Sequence, residues 1–409
     1  MKILIQSIYY PPELIGIAKY TGEMAEWLAT RGHEVTVITT PPYYPEWKIW
    51  ENYSSFSYSR ETLNGVKVVR CPLWVPAKQS GLKRILHLLS FVISAAPIVF
   101  WKIRTEKPDV ILVVYPYLFA GPWVQLATIL SNSKTWLHIQ DYEMDAAFEL
   151  GFFKINWIQR IATRFENRLL QSFDLVSTIS ERMRDRLKPK GLSIEKTHLF
   201  PNWIDTQIIY PMTRNETFRA KFGLSSDEFV ALYAGNMGVK QGLDLVIEVA
   251  KRLTDHKRIV FVLCGDGAVK KTLVNEAKGL DNVKFIPLQP YEQLNNLLNM
   301  ADVHLLPQRA DAADLVMPSK LTGMLASGRP VLATATPGTQ VAEFVENAGL
   351  VIPPGDVQTF VEALLIMAAN EKKCLTWGKQ ARERAMEWEK ERVLLKFEQE
   401  LMNCSHHQA

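Results

Sequence analysis

The stretch VALYAGNMGVKQGLDLVIEVAKRL, residues 230–253, passes from strand to turn to helix without a break. Val230 to Tyr233 is a short apolar run, Tyr233 to Gly242 carries three glycines, and apolar side chains then recur at helical spacing. A strand that runs through a glycine turn straight into a helix is the repeating unit of a parallel sheet, because parallel neighbours need a long crossover and the helix supplies it. Working outward, the unit recurs downstream, with strands expected near Val260 to Leu263, Val283 to Ile286, Val303 to Leu306, Val331 to Ala333 and Leu350 to Ile352. An earlier cycle has strands expected near Ile3 to Ile8, Val35 to Thr39, Val66 to Arg70, Val110 to Val114, Thr135 to Ile139 and Leu175 to Thr178, with a helix over Lys19 to Arg31. Prolines and an Asn-Trp pair between Pro201 and Arg214 interrupt the periodicity and separate the two cycles.

The predicted class is α/β, with two Rossmann-like domains at residues 1–200 and 201–375, a division that suits a chain of 409 residues. Residues 376–409 should hold a last helix, Thr376 to Leu401, that reaches back onto the first domain. The tail from Asn403 should fray, so His406 and His407 belong to a loose end rather than a metal site. Nearly half the residues are apolar and the formal charge is only +4, which fits a folded protein and argues against a nucleic-acid partner. The four cysteines are scattered and form no metal or disulfide pattern, and MKILIQSIYY lacks the architecture of a signal peptide, so a cytoplasmic location is expected.

Ile85 to Trp101, ILHLLSFVISAAPIVFW, is almost continuously apolar and lies between Lys83 and Arg84 on one side and Lys102, Arg104 and Lys107 on the other. It is short for a span and interrupted by His87, Ser90, Ser94 and Pro97, so an interfacial helix at an anionic membrane is preferred to a core helix or a span. A second basic group, Arg182, Arg184, Arg186, Lys188 and Lys190, suits the same surface, or is simply a solvated helix face.

In open α/β sheets ligands bind beyond the carboxyl ends of the strands. The first such junction, QSIYYPPELIGIAKYTGEM, holds Gly16 ahead of a helix but neither GxGxxG nor a Walker motif. Gly16 can admit an anion to the helix N-terminus, or be a turn glycine. In YAGNMGVKQG, amides freed by Gly235 and Gly238, with Asn236, Lys240 and Gln241, compose a phosphate cradle. Gly265, Asp266 and Gly267 form a small turn that allows close approach of a nucleoside. In DAADLVMPSKLTGMLASGRPVLA, Ser319 can cap a helix carrying Lys320, and cation and helix dipole together would stabilise a departing diphosphate. The loop from Pro41 to Tyr58 is dense in aromatics, among them Tyr43, Tyr44 and Trp47, which suits sugar stacking, lipid contact or self-packing.

The order YPPE, RGHEVTVIT, FPNW, YAGNMGVKQG, GDG and PSKLTGMLASGRPV, read over essentially the whole chain, resembles the retaining glycosyltransferases of family 4 with the GT-B fold. PPYYPEW and LHIQDYE resemble the fucosyltransferase group of colanic acid biosynthesis. The resemblance implies two Rossmann-like domains facing a cleft and transfer with retention from a nucleotide diphosphate sugar, GDP-fucose, as co-substrate without other cofactor or metal. It implies a polyprenyl-diphosphate-linked oligosaccharide acceptor and an enzyme peripheral at the inner face of the plasma membrane. Carried residue by residue, it implies donor contacts from Gly16, Gly235, Asn236, Lys240, Gln241, Gly265, Gly267, Leu288, Asp314, Ser319 and Lys320. Acceptor contacts fall to Tyr43, Tyr44, Trp47 and Asp141, and catalytic roles to Asp141, His138 and Lys320, with His138 otherwise a satisfied strand histidine.

The sequence departs from the wider family at several of these places. Asn236 and Gln241 stand where relatives carry Arg and Lys, and Leu315 and Gly323 where they carry a pair of glutamates, leaving Asp311 or Asp314 to compensate. Gln140 stands at a histidine position ahead of Asp141. A silent partner subunit of a polysaccharide assembly complex, or a sugar-nucleotide epimerase of the same fold, are the alternatives.

Overall fold

The computed structural model describes residues 1–406 apart from 14, 79, 130, 143–155 and 310–318, and leaves out the side chains of Tyr117, Asn156, Ile158, Ser319 and His406. The chain divides into two compact units, Met1–Asn202 with Val393–Ala409, and Trp203–Arg392.

The first unit is an eight-stranded sheet: β1 (Lys2–Ser7), β2 (Glu34–Thr39), β3 (Ser59–Leu63), β4 (Val66–Arg70), β5 (Val110–Tyr115), β6 (Lys134–Ile139), β7 (Leu175–Thr178) and β8 (Thr197–Leu199). The spatial order is β3-β4-β2-β1-β5-β6-β7-β8, and every pairing is parallel except β3 with β4. β1 is central, with Ile3 opposite both Val35 and Val110, and five of its six residues are buried. Burial on both faces is why parallel strands read as unbroken apolar runs rather than alternating ones.

β3 and β8 escape that reading. β3 is polar SRETL at the sheet edge, with no buried residue. It forms a hairpin in which Leu63 opposes Val66 across Asn64 and Gly65, both at positive φ. An Asn-Gly pair between two runs is the recognised signal for such a turn.

The apolar segment around Ile85 to Trp101 lies in a longer helix, Gly81–Glu106, that buries His87, Phe91, Val92, Ala95, Val99, Lys102 and Ile103 against the unit. It packs on the Tyr117–Thr128 helix, which in turn packs on Asn156–Ser172. This helix is long and apolar enough to cross a membrane by length and composition, yet part of it is core.

The second unit is a parallel six-stranded sheet, β9 (Phe229–Ala234), β10 (Ile259–Cys264), β11 (Val283–Ile286), β12 (Val303–Leu306), β13 (Val331–Thr334) and β14 (Gly349–Ile352), in the order β11-β10-β9-β12-β13-β14. Helices Leu243–Arg252 and Val357–Ala369 pack on each other over a core that includes Tyr233, Phe261, Leu263 and Phe360.

The single terminal helix expected from Thr376 to Leu401 is two. Glu371–Ala385 belongs to the second unit, and after a short turn at Met386–Trp388, Lys390–His406 begins. From Val393 onward this helix lies with the first unit, where Phe397 stacks on Phe200 at 4.0 Å and meets Trp136 edge-on at 5.0 Å. Glu398, nearly buried, pairs with His33 at 2.8 Å and Arg31 at 3.2 Å.

Candidate functional site

At the carboxyl ends of β9 and β10 the two glycine loops are joined by their backbones. Gly235 N–H donates to Cys264 O (2.9 Å), Met237 N–H to Asp266 O (2.7 Å) and Val269 N–H to Met237 O (3.1 Å). The contact leaves no room for side chains. A Cβ on Gly265, whose φ is +155°, would stand 1.9 Å from Gly235 O, and one on Gly267 would stand 2.5 Å from Met237 O. These glycines are required by close backbone approach.

Lys320, second residue of the helix Ser319–Ala326, enters beneath this loop. Its ammonium donates to the Tyr233 hydroxyl at 3.1 Å and lies 4.3 Å from the centre of that ring, and Tyr233 in turn donates to Asn236 O at 2.5 Å. A Cβ on Gly235 would lie 3.9 Å from the Lys320 Nζ, so the loop backbone and the cation border the same space. Lys320 has no carboxylate partner among the described residues. Burial of the ammonium brings its pKa down to about 7. A desolvated cation with no carboxylate partner among the described residues is a setting for an anion that arrives with the ligand.

Other residues assigned to the donor differ in setting. The Gln241 side chain accepts from Gly238 N–H at 3.1 Å and Gly235 N–H is taken by Cys264 O, so the two amides expected to be free for a phosphate are engaged within the protein. Lys240 and Asn236 are exposed, and Leu288 is 64% exposed. Gly16 opens the helix Gly16–Thr30 with nothing within 4 Å of where its Cβ would be. Asp314, with Asp311, lies outside the described residues, as does the side chain of Ser319. Arg309, unnoticed in the sequence, packs its side chain over Gly242 and donates its backbone N–H to Lys240 O at 3.3 Å. A cavity of about 530 Å³ in this unit, lined by Phe229, Ile259, Asp302 and Arg329 among others, lies at the amino ends of the strands and away from these loops.

In the first unit, His138 and Asp141 follow one another along β6 and its exit but part company. His138 is 3% exposed, its Nδ1 is 2.9 Å from Ser177 Oγ, and its ring is 4.9 Å from Phe200. Desolvation brings its pKa to about 3, so it is a neutral interior residue and not a base facing a ligand. Asp141 is exposed beyond the strand end.

The aromatic loop also divides. Tyr43 is fully buried: its ring stacks on Tyr9 at 5.8 Å, its hydroxyl is 2.9 Å from His87 Nε2, and His87 Nδ1 is 2.7 Å from Trp74 O. Tyr43 therefore packs inward, correcting the acceptor role expected for it. Tyr44 and Trp47 keep accessible surface. Trp47 holds φ at +54°, unusual for a bulky side chain, with its ring against Tyr43 and His87. Beneath them the buried Glu13 carboxylate accepts from the Tyr43 and Tyr44 amides, both at 2.9 Å, and burial raises its pKa. Glu13 was legible only as the last letter of YPPE.

Residues 16–203 match the model of the glycosyl transferase 4-like domain, and residues 214–384 that of glycosyl transferases group 1. The chain is 42% identical to the glycosyl transferase WcaI of Escherichia coli strain K12, whose name assigns it to colanic acid biosynthesis, over 97% of this chain and 98% of that one. The chain belongs to this family of GT-B glycosyltransferases. Its fold agrees with sucrose-phosphate synthase from Thermosynechococcus elongatus, at a TM-score of 0.75 and 20% identity over 98% of both chains. It agrees also with HepE of Anabaena, solved with UDP-glucose, at a TM-score of 0.69 and 16% identity over 98% of this chain and 100% of that one. In this glycosyltransferase the glycine loops and Lys320 lie at the carboxyl ends of the second unit's strands, where the fold places ligands.

Proposed function

We propose that this glycosyltransferase moves fucose from GDP-fucose, with retention and without a metal, onto a polyprenyl-diphosphate-linked oligosaccharide in the biosynthesis of a colanic-acid-like exopolysaccharide. The observation that carries the donor half is Lys320, a buried ammonium whose hydrogen-bond partner among the described residues is a neutral phenol and which lies against the Gly235 backbone of the glycine loop. As the bond from the anomeric carbon to the diphosphate breaks, charge gathers on the leaving oxygen, and a cation held in a desolvated site stabilises that charge more than it does the ground state. The acceptor hydroxyl then bonds to the anomeric carbon on the same face and gives its proton to the departing diphosphate oxygen. A protein base is not needed for that step, which accords with the interior setting of His138; Asp141 serves to orient the acceptor. HepE, solved with UDP-glucose, supports a nucleotide-sugar donor in this fold, and the likeness to WcaI supports the pathway.

The lipid half of the reading is supported by three adjoining helices of the first unit. Leu82, Leu86, Ile93 and Trp101 on Gly81–Glu106, Trp123 and Leu126 on Tyr117–Thr128, and Trp157, Ile161 and Phe165 on Asn156–Ser172 are all exposed. Exposed apolar side chains spread over packed helices, interspersed with Lys83, Arg84, Arg160, Arg164 and Arg168, suit an anionic membrane surface at the cytoplasmic leaflet.

The deciding experiment offers GDP-, UDP- and dTDP-sugars to the purified enzyme with a lipid-linked oligosaccharide acceptor and follows nucleotide release and product anomer. Selective turnover of GDP-fucose with a retained anomer is expected. Turnover of another donor would overturn the fucose assignment, and silence across the panel would favour a partner subunit.

A further inference from the structure

A cavity of about 490 Å³ opens in the first unit between the aromatic loop, the segment after β4 and the Gly81–Glu106 helix. Its walls include Trp47, Ile49, Phe56, Leu73, Trp74 and Val75, and the volume lies in the range of small-molecule sites, roughly 300–1,000 Å³. The two serines on its helix wall are already engaged. Ser90 Oγ donates to His87 O at 2.7 Å and receives Trp74 N–H at 3.0 Å, and Ser94 Oγ donates to Pro72 O at 2.7 Å. With these hydroxyls turned to backbone, the cavity offers a ligand mostly hydrocarbon and aromatic surface.

Three further features point outward from this cavity. Leu82, Leu86, Ser90 and Ser94 stand four apart on one ridge of the helix, so the ridge that walls the cavity continues into the exposed apolar side chains. Phe56, another wall residue, is 92% exposed, a cost in water that a lipid contact removes. Lys48 is an exposed wall residue, and Arg84 stacks on Trp47 at 5.8 Å; neither has a carboxylate partner among the described residues. Trp47 itself sits at φ +54°, and strained backbone of this kind concentrates at ligand contacts.

We propose that this cavity holds the first isoprene units of the acceptor's polyprenyl carrier, with Lys48 and Arg84 on its diphosphate. The apolar wall matches the branched hydrocarbon, the two cations match the diphosphate, and the exposed ridge lets the rest of the chain pass into the bilayer. This inference rests on the lipid-linked acceptor reading above, and it adds that the enzyme grips the lipid itself.

The test is calorimetric titration of the full chain with farnesyl diphosphate in the absence of membrane. Saturable binding is expected, weakened by salt because the rim charges are exposed. Ala77→Trp, which fills the cavity from an exposed wall position, and Phe56→Ser should each weaken it by about tenfold or more, as should Lys48→Glu with Arg84→Glu. Thermal melting of each variant checks that it folds. Absence of saturable binding, or binding unchanged in both Ala77→Trp and Phe56→Ser, overturns the proposal. Displacement of farnesyl diphosphate by an equal concentration of phosphatidylglycerol overturns it in favour of a phospholipid site. The acceptor reading fails separately: farnesyl diphosphate bound in the cavity with no turnover of any lipid-linked oligosaccharide would sink that reading and leave the site standing. Equal turnover of prenyl-linked and soluble diphosphate-linked oligosaccharides, unaffected by Ala77→Trp, would do the reverse.

Discussion

The loops that follow β9 and β10 close on each other by lacking side chains, whereas the loop that follows β2 is crowded with them. In the first, Gly235, Gly265 and Gly267 bring backbone against backbone, and a cation, Lys320, lies against the Gly235 backbone. In the second, Tyr43, Trp47 and His87 fill one another's contacts around a buried carboxylate, and the opening lies to one side of them. A site built from backbone announces itself through residue type, since only glycine tolerates the geometry. A site built from aromatics does not, because the same ring can face core or ligand.

Lys320 is where that difference should be largest. Lys320→Ala is expected to lower turnover by about 10²–10³-fold, the range for removing one preorganised electrostatic donor, while the protein still folds. Steady-state kinetics with the preferred donor, beside a melting curve, would check this. Turnover within a few-fold of wild type would mean that the diphosphate is neutralised elsewhere, and Arg309 over Gly242 would be the next residue to examine.

Gly265→Ala probes the backbone side of the same site. A methyl 1.9 Å from a carbonyl oxygen cannot be accommodated without parting the two loops. A loss of about 3 kcal/mol is expected, at the upper end for overpacking, measured by denaturant unfolding. In the aromatic region the counterpart is Glu13→Ala, which strips the acceptor from the Tyr43 and Tyr44 amides. About 2 kcal/mol should be lost for buried donors left unpaired, and acceptor KM should rise while donor KM stays fixed. If both substitutions raised donor KM equally, the two regions would not be separate in function.

The contrast extends to pH. With its pKa near 7 in the folded protein and 10.5 when unfolded, Lys320 is protonated in both states below about pH 7, and the full burial penalty applies there. Between those values only the unfolded chain keeps the proton, so stability should rise with pH over that window. Lys320→Met should flatten the rise. A diphosphate beside the ammonium restores its charge, so donor binding at pH 8 should take up a proton that it does not take up at pH 6. Calorimetry in two buffers of different ionisation enthalpy reads this directly.

How much of this was legible in the sequence follows the same division. The twelve runs read as strands are all strands; in the central ones, such as Ile259–Cys264, burial of every residue makes the sequence continuously apolar. β3 was missed because the edge of a sheet does not demand apolar residues, although Asn64-Gly65 carried the turn signal. YAGNMGVKQG and GDG were readable as turns of close backbone approach from their glycines. The Gln241 side chain was not, since a polar residue in a loop can as easily bond Gly238 N–H as a phosphate. His138 and Tyr43 take the inward of the two readings open to each, a strand histidine and a self-packed loop, since sequence locates them near a strand end but does not say which way they point. The terminal helix broke at Met386–Trp388, and charge-rich periodicity runs through that break without marking it.

The smallest effect is the most direct check on the aromatic half. Tyr43→Phe removes one hydroxyl from a fully buried ring and leaves its stacking on Tyr9 in place. If Tyr43 is core, the loss is that of its hydroxyl's bonds to His87 and Tyr9, about 1–2 kcal/mol. His87 keeps its bond to Trp74 O and stays neutral, since desolvation already brings its pKa to about 4. Transfer rates and acceptor KM should then be unchanged. A rise in acceptor KM without a loss of stability would mean that the hydroxyl reaches substrate, that the loop opens during turnover, and that the inward packing of Tyr43 describes the resting enzyme alone.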